Sequence, residues 1–212
     1  MSNLHVPMTT VQRLPSYLQA LISAQAQRMP VINSVEIAEM VGTNAAQVRK
    51  DLSYLGEYGT RGVGYDVDSL IAHLARWLGI EQHRNVAIVG FGRLGGALQG
   101  YGGFGDRGFR VVAVFDDDPD KIGEPYNGCT VESIDDIEIV LAREKVDIAM
   151  IAVPAMAAQS VADSLVAAGV KAILNFAPVR IEVPEGAIAR QADLAAELQI
   201  LSFHLSSLER QT

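Results

Sequence analysis

The sequence has few of the features typical of secreted, membrane or thiol-based proteins. Cys129 is the only cysteine, so one chain forms neither a disulfide nor a metal site built from a cysteine pair. No apolar run approaches the roughly 18 to 20 residues of a membrane-spanning helix, and the first residues lack the pattern of a signal peptide. We therefore expect a soluble, cytoplasmic protein with no membrane partner and no bound metal.

Basic residues are also few, and their distribution along the chain is uneven. The 212 residues include 17 Lys and Arg against 25 Asp and Glu, a net charge of -8 that is unfavourable for nucleic-acid binding as an average. Residues 1–84 hold seven basic and seven acidic side chains, whereas 85–212 hold ten and eighteen. All of the excess negative charge lies in the second part, which indicates two domains, 1–84 and 85–212, with different partners.

The first part has the pattern of a helix-turn-helix. An amphipathic first helix ends before Pro30, and a second begins at Asn33, which has capping-box spacing with Glu36. A third helix follows the turn at Gly42 and buries Val48 and two leucines. The residues on its opposite, polar face are Gln47, Arg49, Lys50, Ser53 and Tyr54. This face would enter a DNA major groove, although an ordinary solvated helix has a similar face.

A hairpin pattern follows the third helix. Between residues 56 and 65, four glycines alternate with aromatic, β-branched and basic residues, which predicts a tight β-hairpin. Arg61 would lie at its tip, where the guanidinium would reach the minor groove, and the preceding Thr60 is a further candidate for a DNA contact. With the amphipathic helix from Val67 to Leu78, the pattern predicts a winged helix-turn-helix; a solvated loop arginine is the alternative.

The second part opens with a dinucleotide-binding pattern. A β-branched strand, residues 85–89, runs directly into a GxGxxG segment that opens a helix. The six residues of this segment are Gly90, Phe91, Gly92, Arg93, Leu94 and Gly95. The first glycine would allow the turn, the second would let backbone approach a pyrophosphate, and the third would let helix and strand pack closely.

An acidic group ends the next strand. Asp116 lies 21 residues after Gly95, near the spacing at which an acid binds the ribose hydroxyls of a dinucleotide. Asp117 and Asp118 add negative charge that would repel a 2′-phosphate, which favours NAD(H) over NADP(H). A glycine-rich turn followed by a capping aspartate is the alternative.

Two further apolar strands, 147–153 and 170–176, are separated by an alanine-rich helix. This alternation predicts an α/β fold with a doubly wound parallel sheet of the Rossmann type. Ligands bind at the carboxyl ends of such strands, so Val153, Pro154 and Phe176 are candidates for lining the site. The alternative is a pair of turns that end in proline.

The last predicted helix, 193–210, begins at Asp193 and carries a leucine seam. The seam residues, spaced by four and three, are Leu194, Leu198, Leu201, Leu205 and Leu208. With Ile200 and Phe203 they cover much of the circumference, which favours a second subunit as their cover. The alternative is a helix packed wholly on its own domain.

Catalytic pairs expected of a dehydrogenase are not found in the sequence. None of the six tyrosines is followed by a lysine four residues later, and His204 is the only histidine of the second part. We expect no catalytic residue and no enzymatic activity. The alternative is a nucleotide- or coenzyme A-binding Rossmann protein, or a small enzyme, without a role on DNA.

Several segments together resemble one family. They are the runs QVRKDLSYLG (47–56) and YGTRGVGY (58–65), the glycine segment, FDDDP (115–119) and ILNFAP (173–178). The chain resembles the Rex family of bacterial redox-sensing transcriptional repressors. The resemblance implies a homodimer with winged helices on a palindromic operator, exchanged C-terminal helices, and release of DNA when NADH rises relative to NAD+.

The resemblance also implies roles for particular residues. The positions that contact DNA in the family hold Arg49, Lys50 and Arg61. Tyr101 and Phe176 would lie near the nicotinamide, beside the dinucleotide-binding Gly90, Gly92, Gly95 and Asp116. Asp193 matches an aspartate that exchanges ion-pair partners between the two states of some members. The position of its arginine partner on the first helix holds Gln19, a departure from the family pattern.

Overall fold

The computed structural model describes residues 6–56, 58–60 and 62–210. The chain forms two compact units, Met1–Gln82 and His83–Thr212. Within the described ranges, no helix is both long and apolar enough to cross a membrane.

The described residues of the first unit form four helices and three short strands. They are α1 (Met8–Ala26), β1 (Val31–Ile32), α2 (Ser34–Val41), α3 (Ala45–Ser53), β2 (Gly59–Thr60), β3 (Gly64–Asp66) and α4 (Val67–Leu78). The strands form an antiparallel sheet in the order β1-β3-β2, so the predicted hairpin is confirmed and gains a third strand that the sequence pattern did not indicate.

Capping residues fix where α2 and α3, the two helices of the helix-turn-helix, begin and where α2 ends. The Asn33 side chain accepts hydrogen bonds from the N–H groups of Val35 and Glu36, and Glu36 accepts from the Asn33 N–H, which completes the predicted capping box. Gly42 ends α2 with a φ of 70°, a left-handed conformation that suits glycine. Asn44 then caps α3 by accepting from the Gln47 N–H. The turn between the two helices is therefore fixed by local chemistry.

The second unit is a seven-stranded sheet with helices on both faces. Its strands are β4 (Arg84–Val89), β5 (Phe109–Asp116), β6 (Pro125–Tyr126), β7 (Cys129–Ser133), β8 (Ile148–Ile151), β9 (Ala172–Asn175) and β10 (Ile188–Gln191). Its α-helices are α5 (Arg93–Gln99), α6 (Ile137–Glu144), α7 (Ala155–Ala167) and α8 (Leu194–Glu209). The order β10-β9-β8-β4-β5-β7-β6 is parallel except for β6, which confirms the predicted parallel sheet.

Each face of this sheet buries a separate apolar cluster. The larger cluster joins alternate residues of β4, β5 and β8 to α6 and α7. The smaller joins Val86, Ile88 and Met150 to aromatic residues that include Phe104 and Phe176. The alternation follows from the two-residue period of a strand, which directs neighbouring side chains to opposite faces.

The last helix of the second unit leaves its apolar face uncovered. Among the described residues, none of the side chains of α8 is buried, and the five seam leucines are 58–67% exposed. A helix packed wholly on its own domain is therefore excluded. Single exposed leucines are common on proteins, but a continuous seam of this kind marks an interaction surface.

Candidate dinucleotide site and nucleic-acid interface

The glycine segment between β4 and α5 has three different environments. Gly90 has a φ of 97°, and a Cβ atom there would lie 2.6 Å from the Ala152 carbonyl oxygen. A Cβ at Gly95 would overlap the Gly90 carbonyl oxygen, so α5 approaches the strand as closely as backbone allows. A Cβ at Gly92 would meet nothing within 4 Å. Two glycines therefore permit the packing, and the third borders open space in front of α5.

Asp116, at the carboxyl end of β5, holds this loop in place. Its Oδ2 accepts a 2.6 Å hydrogen bond from the Phe91 N–H, and its Oδ1 accepts from the Asp118 N–H at 2.9 Å. Burial alone would raise the pKa of Asp116, but these hydrogen bonds and the one from Lys121 together lower it. The carboxylate thus joins the glycine loop to β5 before any ligand binds, a role that the sequence did not indicate.

Lys121 is a site residue that the sequence analysis missed. Its Nζ lies 3.1 Å from an Asp116 oxygen and 3.4 Å from an Asp118 oxygen. The hydrogen bond to Asp116 raises the pKa of Lys121. Its positive charge offsets part of the repulsion that we expected the acidic group to exert on a 2′-phosphate. The sequence feature that could have indicated Lys121 is its position directly after an aspartate-rich run, 116–120.

These residues border one cavity of about 420 Å³, a size typical of small-molecule sites. It lies at the carboxyl ends of β4, β5 and β8, where parallel sheets bind ligands. The candidate residues that line it are Gly90, Gly92, Asp116, Val153 and Pro154, together with Asp117 and Lys121. Sequence positions more than 60 residues apart are therefore brought together as the strand order requires.

The remaining ligand-site candidates lie outside this cavity. Phe176 is half-buried in the cluster on the opposite face of the sheet, and Tyr101, 53% exposed, packs edge-on against Phe104 of that cluster with centroids 5.0 Å apart. Arg93 and Leu94 are exposed on the first turn of α5. Asp193 caps α8 by accepting from the N–H groups of the second and third residues of that helix, and it borders a separate cavity of about 860 Å³.

The candidate nucleic-acid interface is the polar face of α3 with the adjacent hairpin. Arg49, Lys50 and Ser53 are exposed, whereas Gln47 and Tyr54 are half-buried. The Arg49 guanidinium donates a 2.9 Å hydrogen bond to Ser34 Oγ, which ties the two helices of the motif together. The exposed Thr60 and Arg49 border a groove of about 790 Å³ between α2 and the hairpin. Arg61 lies outside the described residues.

A buried carboxylate beneath this face escaped the sequence analysis. Asp51, on α3, is fully buried and accepts five hydrogen bonds. The donors, which with Asp51 we call the Asp51 cluster, are Thr10 (2.8 Å), Arg13 (2.6 and 2.8 Å), Tyr17 (2.7 Å) and Gln47 (2.9 Å). The cluster joins α1 to α3 through charge-assisted hydrogen bonds.

Burial and hydrogen bonding act in opposite directions on Asp51. Burial alone would raise the pKa of Asp51, but the donors, of which Arg13 contributes most, lower it to about 2. Burial and the hydrogen bond to Asp51 raise the pKa of Tyr17 to about 12. Asp51 is therefore ionised and Tyr17 neutral at physiological pH.

Two family models match the chain in the same order as its two units. The model "Putative DNA-binding protein N-terminus" matches residues 5–53, and the model "CoA binding domain" matches residues 81–179. The second match agrees with the parallel sheet and its glycine loop.

Curated relatives match over nearly the whole chain. "Redox-sensing transcriptional repressor Rex" of Streptomyces coelicolor is 52% identical over 199 residues, 94% of this chain and 77% of the relative. The protein of the same name from Desulfitobacterium hafniense is 46% identical over 207 residues, 98% of this chain and 99% of the relative. These names belong to repressors, not to enzymes or coenzyme A carriers.

Solved structures agree. RSP in complex with β-NAD+ and operator DNA matches with a TM-score of 0.90 and 35% identity, over 96% of this chain and 94% of RSP. RSP, described as a Rex-family repressor, in complex with β-NADH matches with a TM-score of 0.87, 34% identity and 97% coverage of this chain against 96% of RSP. Fold, residue pattern and identity along both units agree, and the chain therefore belongs to the Rex family of redox-sensing transcriptional repressors.

Proposed function

We propose that this chain binds palindromic operator DNA as a homodimer and leaves it when NADH rises relative to NAD+. Residues 1–84 would form the DNA-binding domain and residues 85–212 the NAD(H)-binding and dimerisation domain. The observation that carries the proposal is the open space at Gly92, within a dinucleotide fold, in a chain whose other unit exposes a helix-turn-helix. We infer a cytoplasmic location, because a bacterial protein would meet both the operator DNA and NAD(H) there.

The structure fits a dinucleotide. Backbone N–H groups of Gly92, Arg93 and Leu94 would bind the pyrophosphate, because a Cβ atom at Gly92 would meet nothing within 4 Å. Phe91 would shape the same loop, since its own N–H is already donated to Asp116. Asp116 keeps lone pairs for the ribose hydroxyls although both of its oxygens already accept hydrogen bonds. Val153 and Pro154 would form the apolar wall of the cavity. NAD(H) is a sensed ligand in this proposal, and no residue transfers hydride or protons.

The polar face of α3 would enter the major groove. Arg49, Lys50, Gln47, Ser53 and Tyr54 all lie on this face or at its end. Thr60 and Arg61 would bring the hairpin to the minor groove. RSP was crystallised on operator DNA, and this chain matches RSP along 96% of its length.

The leucine seam of α8 would be covered by a second copy of this chain. Seven large apolar side chains of this helix are 52–67% exposed. Burying an apolar side chain from water contributes about 1.5–3 kcal/mol, so covering several of them in a symmetric contact stabilises a dimer. The helix 193–210 would then contribute to each site from the partner, which would bring Asp193 towards the nicotinamide.

The ligand changes DNA affinity only through different affinities for the bound and released dimers. We infer that the neutral dihydronicotinamide enters an apolar pocket between the two subunits, near Tyr101 and Phe176, more readily than the cationic ring of NAD+, because burying an unpaired charge is costly. Closing that pocket would rotate the winged helices out of register with successive major grooves. Gln19 stands where an arginine would pair with Asp193, so the switch here would not use that ion pair.

Selection from random duplex DNA tests the proposal. The purified protein would be incubated with the pool in NAD+ or in NADH, at equal concentration and fixed salt because affinity depends on salt. The expected result is a palindrome recovered with NAD+ and lost with NADH. Recovery of no sequence in either condition would contradict the role on DNA, and recovery unchanged by NADH would contradict the sensing role.

A control separates the two functions in one chain. Arg61→Ala is expected to weaken operator binding while NADH affinity stays unchanged, since the proposal gives Arg61 a DNA contact and no part in the nucleotide site. Tyr101→Ala is expected to weaken the response to NADH while ligand-free DNA binding stays nearly intact. Loss of DNA binding in the Tyr101 variant would count against the pocket assignment.

A further inference from the structure

Gln47 has a fixed position at the start of the recognition helix. It is the third residue of α3 and half-buried, and its Nε2 donates a 2.9 Å hydrogen bond to Asp51 Oδ1. Asp51 itself is fully buried and also held by Thr10, Arg13 and Tyr17 of α1. Because the carboxylate cannot move without breaking these bonds, it is a rigid acceptor beneath Gln47.

An ionised carboxylate determines which way an amide faces. A carboxylate only accepts hydrogen bonds, so an amide beside it presents its NH₂ group and turns its carbonyl oxygen away. Reversing the amide would place two acceptors in contact and leave a buried charge with one donor fewer. Within the described part of the chain, Gln47 Oε1 accepts no hydrogen bond. The Gln47 amide therefore has a free carbonyl acceptor and one remaining N–H donor, and the hydrogen bond to Asp51 fixes which of the two lies on each side.

We propose that Asp51 is a positioning residue that makes Gln47 specific for adenine at one position of each operator half-site. Adenine presents an N6 amine beside the N7 acceptor in the major groove, which matches the fixed carbonyl and N–H of Gln47. Guanine presents two acceptors, O6 and N7, and would face the Gln47 carbonyl with one of them. The inference rests on the proposed function, in which α3 enters the major groove.

A mutant cycle between protein and base tests this inference. The variant Gln47→Met keeps the length of the side chain and removes the amide. On the operator selected above, each adenine of one half-site would be replaced in turn by purine, which lacks the N6 amine. At one position, purine is expected to weaken binding of the unaltered protein about fivefold to tenfold, and that of Gln47→Met less than twofold. Purine also pairs more weakly with its partner base, but this effect is the same for both proteins because both bind the same DNA, so it cancels in the comparison.

Variants of the Asp51 cluster test the positioning role. Asp51→Asn lets the amide of Gln47 face either way, so the preference for adenine over guanine at that position is expected to fall at least threefold. Tyr17→Phe is the matched control, since it removes a hydrogen bond to Oδ2 without touching Gln47. A merely structural role of Asp51 would weaken binding to all sequences equally. Should Asp51→Asn fail to fold, Thr10→Val replaces it, because it removes a hydrogen bond to Oδ1, the oxygen that holds Gln47, and is expected to lower the preference for adenine more than Tyr17→Phe does.

The possible results separate this inference from the proposed function. Equal purine costs in both proteins at every position would overturn the role of Gln47, while a selected, NADH-sensitive operator would still support the repressor. An unchanged base preference in folded Asp51→Asn would overturn the positioning by Asp51. Recovery of no operator would overturn both.

Discussion

Two buried aspartates, one in each unit, are kept ionised by hydrogen bonds from different kinds of donor. Asp51 and Asp116 are both buried, and hydrogen bonds lower the pKa of each despite the burial that would raise it. The donors to Asp51 are side chains, and three of the four lie 34–41 residues away on α1. Asp116 accepts from two backbone N–H groups and from Lys121, five residues later.

The difference between side-chain and backbone donors indicates which substitutions each unit tolerates. Side-chain donors can be lost by substitution, so the Asp51 cluster depends on several residues remaining together. Backbone donors persist whatever the side chain, so the loop around Asp116 depends mainly on the carboxylate and on the glycines that let the backbone approach. The first unit therefore depends on a tertiary network, and the glycine loop of the second unit depends on local chain geometry.

The largest effect is expected for Asp51→Asn. The substitution removes the negative charge beside Arg13 and turns one acceptor into a donor that faces other donors, which should lower the free energy of unfolding by about 3 kcal/mol. Trp77 is the only tryptophan of the sequence and lies in the first unit, so its fluorescence during urea unfolding reports this unit. Tyr17→Phe should cost about 1 kcal/mol. Equal effects of the two variants would contradict a cluster centred on the charge.

Asp116→Ala is expected to act on the other unit. It leaves the N–H groups of Phe91 and Asp118 without their acceptor, at a cost of about 2 kcal/mol, and it loosens the glycine loop. NADH affinity, measured by the fluorescence of the bound nucleotide, should fall at least tenfold, while unfolding followed by Trp77 stays unchanged. Asp117→Ala, at the exposed neighbouring carboxylate, is the control and should change affinity much less. Equal losses in both variants would contradict the special position of Asp116.

The same contrast explains what the sequence could and could not predict. The capping box of Asn33 and Glu36 is a local pattern, so the start of α2 could be predicted. The spacing from Gly95 to Asp116 follows from the order of the strands, so the glycine loop and its acidic neighbour could be predicted as well. The Asp51 cluster was not, because its members lie on different elements and a single aspartate on a polar helix resembles a solvated one. The stretch from Asp117 to Val146 lacked a clear period, so β6, β7 and α6 were missed, and so was Lys121, which lies between β5 and β6.

Acid should lower the stability of the first unit through Asp51. Its pKa of about 2 in the folded protein lies below the ordinary 3.8, so the stabilisation is complete above pH 4 and is lost as the pH falls towards 2. The difference in free energy of unfolding between the unaltered protein and Asp51→Asn should therefore shrink by about 2 kcal/mol between pH 5 and pH 2. Urea titrations of Trp77 fluorescence at fixed protein concentration measure it. A difference independent of pH would show that Asp51 is held by packing rather than by its charge.

The smallest effect is expected for Lys121→Met. The ammonium group is partly exposed and lies near two carboxylates, so the ion pairs add little stability, but its charge moderates the repulsion of a 2′-phosphate. Its removal should leave NADH affinity within twofold and lower the affinity for NADPH about threefold, as competition against NADH would measure. Lys171→Met, an exposed lysine outside the site, should change neither affinity. A rise in NADPH affinity would show that Lys121 excludes the phosphate rather than admitting it, and would assign the choice between the two nucleotides to the lysine instead of the aspartates.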